Sequence, residues 1–88
     1  MNNKIILSAL AMDLKRVALG LNRKSYSMAE KFLTEALKRK SEVKKDELLP
    51  YMQTMMDQIE KLKIQGDAQN ADDVLMYSTR IQNYVLYK

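Results

Sequence analysis

Apolar residues recur at alternating steps of three and four in every quarter of this chain, a spacing that restricts it to helices packed by one face. Leu7, Leu10, Leu14, Val17 and Leu21 carry the pattern through a first helix over about residues 3–22. Ala29, Phe32, Leu33, Ala36 and Leu37 carry it through a second, over about 27–42. Leu48, Met52, Met55, Ile59 and Leu62 define a third over about 47–65, and Ala71, Val74, Ser78, Ile81 and Val85 a fourth over about 68–87. No run alternates apolar and polar residues as a strand would, and no internal repeat of about 20–50 residues competes with this reading.

The boundaries carry stop and start signals. Gly20 lies near the end of the first stripe, and Asn22-Arg23-Lys24 reads as the exit. Ser27 followed by Glu30 has the form of a capping box, in which hydroxyl and carboxylate satisfy free amides at a helix start. Lys38-Arg39-Lys40 places positive charge at the carbonyl end of the second helix, where the helix dipole favours it. Asp46 offers a cap for the third helix, and Pro50 is tolerated only close to that helix's start. Gly66 suits its left-handed C-terminal position. Asp67 and Asn70 are candidate caps for the fourth, with Asp72-Asp73 adding negative charge near its N-terminus. Four stripes of similar width joined by short connections predict an all-α fold, an antiparallel up-and-down four-helix bundle, with residues 1–88 as one helical domain.

Composition narrows the chemistry. The 88 residues include no cysteine and no histidine, which removes disulfides, thiolate nucleophiles, the commonest general base and the commonest transition-metal ligand. The carboxylate pairs Asp57/Glu60 and Asp72/Asp73 read as a solvated helix face and as dipole compensation, and no Gly-rich phosphate loop or nucleophile elbow is present. The expectation is a protein that is not an enzyme, with no cofactor and no metal site. Lys4, the apolar run from Ile5 to Leu7 and Ala9-Leu10-Ala11 imitate a secretory signal, but Asp13, Lys15 and Arg16 interrupt the run and the helical stripe continues through it. No stretch reaches the roughly 20 apolar residues of a membrane span, and the cytoplasm is the expected location.

The first and last stripes are not the only apolar features of their helices. At 100° per residue, Ile5, Met12 and Leu19 form a second seam on the side opposite Leu7, Leu10 and Leu14. On the last helix Met76, Arg80, Asn83 and Tyr87 lie opposite the core stripe, with Tyr84 and Tyr77 on the flank. The third helix contrasts with both, because Gln53, Asp57, Glu60 and Lys61 make its outer side polar. One core cannot bury two sides of a helix, and Tyr, Met and Arg are enriched at interface centres. Ile5, Met12, Leu19, Met76, Arg80, Tyr84 and Tyr87 are therefore the candidate protein-interface residues, with a homodimer as the expected assembly.

Charge suggests an alternative. Residues 1–45 hold eleven Lys/Arg against four acids, a net +7, whereas residues 46–88 hold four against seven, a net −3. Lys38, Arg39, Lys40, Lys44 and Lys45 form the densest cationic cluster and the candidate nucleic-acid site, since clustered cations displace counterions from a phosphate backbone. Glu35 and Glu42 interleave with it in the manner of a solvated helical end, so nucleic acid ranks below a protein partner. An accessory subunit of an enzyme is a further alternative. Seven methionines are many for this length, and Met52, Met55 and Met56 read as adaptable core filling.

Overall fold

The computed structural model describes residues 2–64 and 68–87. Its elements are α1 (Asn3–Asn22), α2 (Tyr26–Ser41), a 3₁₀ turn (Lys45–Glu47), α3 (Pro50–Glu60) and α4 (Ala68–Tyr87). The fold is an all-α antiparallel bundle about 35 Å long and 20–21 Å across, with no strand among the described residues.

α1 is the central helix. α2 lies against one side of it and α4 against another, the two closest backbone packings in the molecule. Both flanks draw on its small residues. Leu7, Leu10, Leu14, Val17 and Leu21 are all buried, and so are Ile6, Ala11, Ala18 and Gly20. A single apolar stripe would serve one neighbour, and the additional buried positions serve the second.

Close approach needs small side chains at the crossings. A Cβ on Gly20 would stand 3.0 Å from the backbone nitrogen of Ala29 and 3.2 Å from its Cα, so the glycine is there for the α1–α2 approach rather than for a helix end. On the other flank the buried Ser78 hydroxyl donates to the Ala11 carbonyl at 2.7 Å, which satisfies a polar group in the core stripe of α4.

The α1–α2 turn closes differently from the expectation. The Ser25 amide donates to the Gly20 carbonyl at 2.8 Å and the Lys24 amide to the Leu21 carbonyl at 3.1 Å, the paired bonds of a Schellman motif. Its left-handed residue is Lys24, with φ 57°. The motif turns the chain at once, so α2 starts at Tyr26 with Ser25 in the cap position and no side-chain cap bond. The predicted Ser27–Glu30 capping box is thereby corrected, because Ser27 is already inside the first turn.

α3 is shorter than the predicted 47–65. Proline at its first position holds Leu49 in an extended conformation, φ −63° and ψ 152°, which separates the helix from the Lys45–Glu47 turn. Asp46 lies in that turn and caps nothing in α3. At the other end the Lys61 and Leu62 amides bond back only three residues, to Gln58 and Ile59, and the helix stops. Leu48 is still buried and Leu62 partly so, each from outside the helix. The predicted closing Gly66 and cap Asp67 lie outside the described residues, and Asn70 is buried within the first turn of α4.

The 44–47 segment is tied to the start of α1. The Asn3 side chain accepts from the Lys44 amide at 2.8 Å and donates to the Lys44 carbonyl at 3.0 Å. Asn2 beside it caps α1 by accepting from the Ile5 amide at 3.0 Å. Met52, Met55, Met56 and Ile59 hold α3 on the core, with Ala71, Val74, Ser78 and Ile81 doing so for α4.

Candidate functional site

α4 presents two different outer sides, and the predicted interface residues divide between them. Toward α1, Ser8, Met12, Gln82, Asn83, Val85 and Leu86 line an open groove of about 400 Å³. Ile5 and Leu19 stand one heptad to either side of Met12 and are exposed, as is Leu75, which shares its side of α4 with Gln82 and Leu86. Ile5 is 55% and Leu86 72% exposed, fractions at which an apolar side chain is outside any core this chain forms alone. All three residues of the second seam expected on α1 are thus exposed, Ile5 more than Met12 and Leu19.

Toward α3, α4 contributes Arg80, Asn83, Tyr84 and Tyr87 to a larger groove of about 610 Å³, and α3 contributes Tyr51, Thr54, Met55 and Gln58. Tyr51 and Tyr84 meet edge to face, with centroids 6.0 Å apart and planes at 77°, the arrangement that ring quadrupoles favour. Met55 is buried in the floor, whereas Tyr87 is 82% exposed at the end. Met76, two turns before Asn83, is exposed on the same side of α4. Arg80, Tyr84 and Tyr87 therefore come together with one another and not with Ile5, Met12 and Leu19, because the body of α4 stands between the two sets.

Leu75 and Leu86 on one side and Tyr51 on the other were missed in the sequence. Leu75 and Leu86 were findable, since they lie seven and four residues from Gln82 and continue its side of the helix. Tyr51 was not, because its meeting with Tyr84 depends on how α3 sits.

Three of the five residues of the cationic cluster, Arg39, Lys40 and Lys45, have carboxylate partners. The Arg39 guanidinium donates to buried Asp13 at 3.4 Å, an acid that also accepts from Arg16 at 3.4 Å. Arg16 in turn lies over the Phe32 ring, 5.6 Å from its centroid. Lys40 pairs with Glu60 at 2.8 Å and Lys45 with Asp57 at 2.5 Å. The Lys45 ammonium donates to Asp57 and holds its carboxyl below the ordinary value of 3.8. Asp57 and Glu60, which sequence spacing left as a solvated pair on α3, thus reach across to the cations of the preceding segments. The Lys44 side chain is exposed while its backbone is held by Asn3, and Lys38 is exposed near Glu35 and Glu42.

Among the described residues no three acidic side chains gather as a metal-binding group, and no helix is long and apolar enough to cross a membrane. Compared with protein-family models, with curated proteins and with solved structures, the chain shows no match.

Proposed function

We propose that this chain is a small cytoplasmic protein-interaction module that self-associates through the α1–α4 face. One observation carries the reading: five large apolar side chains, Ile5, Met12, Leu19, Leu75 and Leu86, stand exposed on that one face of a molecule whose α3 outer side is polar. Leaving such a surface in water is unfavourable by about 25 cal/mol for each Å² that a partner would cover. A second copy supplies a matching face, and two-fold pairing is the commonest way such faces are used. The cysteine-free composition is what supports the cytoplasmic location.

The nucleic-acid alternative is less favoured on the same structure. Arg39, Lys40 and Lys45 would each have to leave a carboxylate partner to neutralise phosphate, which reduces what counterion release returns.

Sedimentation velocity at low and high salt tests the proposal. The expected result is a species of twice the 10.2 kDa chain mass that persists at high salt. The double variant Met12→Lys/Leu86→Glu is expected to sediment as a monomer with unchanged helical circular dichroism. A wild-type chain that remains monomeric at about 1 mM, where contacts of only about 4 kcal/mol would register, overturns it.

A further inference from the structure

The groove between α3 and α4 has a composition that the self-association reading does not use. The backbones of these two helices stand apart, in contrast to the close packing of α1 on α2 and α4, and beside the core they share, the Tyr51–Tyr84 ring pair spans the gap. Its floor is the Met55 thioether and its walls are the rings of Tyr51, Tyr84 and Tyr87. Arg80 is the one full charge in the described lining. The primary amides of Gln58 and Asn83 and the phenol hydroxyls add groups that both donate and accept hydrogen bonds.

Among the described residues the lining is an aromatic trough with one cation and no carboxylate, and it favours an occupant that lays apolar rings on the tyrosines and brings a negative charge to Arg80. A proline-rich segment in the polyproline II conformation matches it. Such a segment has few or no backbone N–H groups, leaves its carbonyls unpaired, and presents flat pyrrolidine rings to aromatic faces. Length agrees as well. From Tyr51 to Gln58 and from Arg80 to Tyr87 are seven helical steps each, roughly 10 Å, and three steps of polyproline II, one full turn, cover about 9 Å.

We propose that the α3–α4 groove binds a proline-rich peptide carrying an acidic residue, its prolines against Tyr51, Tyr84 and Tyr87 and its carboxylate on Arg80. The site opens on the α3 side of α4 and shares only Asn83 with the α1–α4 groove, so the tyrosine and arginine variants test it apart from self-association.

Titration of the ¹⁵N-labelled protein with an acetylated, amidated hexapeptide of five prolines and one glutamate provides the test. An alanine-rich, helix-forming peptide of the same charge serves as control. The expected result is saturable shifts at the Gln58 and Asn83 side-chain amides and at the Arg80 Nε, with the control peptide inert. Tyr51→Ala and Tyr87→Ala alter exposed rings, and each is expected to weaken binding about tenfold with helical content unchanged. Arg80→Gln is expected to abolish the preference for the glutamate peptide over its glutamine analogue. The Met12→Lys/Leu86→Glu variant is expected to bind as the wild type does, whatever its oligomeric state. No saturable shift up to about 2 mM peptide, a weaker interaction than about 4 kcal/mol, overturns the proposal. So does equal binding by the helical control, or undiminished binding by both tyrosine variants.

Discussion

Lys24 sits in a backbone region that side-chain-bearing residues avoid, because a left-handed φ brings Cβ against the following carbonyl at about 1–2 kcal/mol. The Schellman bonds to Gly20 and Leu21 hold it there. Glycine has no such penalty, although it widens the unfolded ensemble. Lys24→Gly is accordingly expected to stabilise the protein by about 0.5–1 kcal/mol, read as a higher urea midpoint at constant slope. The sequence marked the exit at residues 22–24 but not this conformation, since glycine or asparagine, not lysine, is what signals it. Asp13 was illegible for a related reason. It falls between core positions of α1, and only the packing of α2 brings Arg39, 26 residues away, onto it. Pairings between distant residues leave no periodic trace.

Individual helices were far more readable, because a stripe of buried residues is a periodic signal. The failures are at ends, where a few local bonds decide between neighbouring turns. α3 shows what such ends do. Its 11 residues are fewer than the roughly 12–15 at which an isolated helix becomes even marginal in water, so it exists through the side chains it buries. Met52 is fully enclosed, at 0% exposure, as is Ile59. Met52→Ala is expected to cost about 2–5 kcal/mol, and amide exchange should localise the loss. Protection is expected to fall first in α3, while the central α1 retains it. Equal loss in both helices would show that α3 and α1 open together. The two outer sides of α4 make the same point about sites: the residues were legible as surface, but their division between two grooves was not, because a helical wheel does not say which neighbour stands where.

Across the molecule, two ion pairs fasten α3 from outside, Lys40 to Glu60 and Lys45 to Asp57. Asp57 ionises more readily in the folded chain than in the unfolded one, so its contribution is present above pH 3.8 and is lost as pH falls below that value through the folded one. Thermal unfolding followed from pH 5 to about pH 2 is expected to show this loss, and Asp57→Asn to flatten it, by a small amount because the pair is exposed. The polarised charge of the two chain halves is thereby resolved in part within the fold, an outcome the sequence allowed but did not dictate. The central position of α1 has a consequence for biosynthesis. Ser78 and Ala11 are 67 residues apart, and that much chain must be made after this part of α1 before α4 can cover it. At about 5–20 residues per second, one flank of α1 waits several seconds with its apolar side chains unsheltered, a window in which a holding chaperone has a substrate and the finished protein does not.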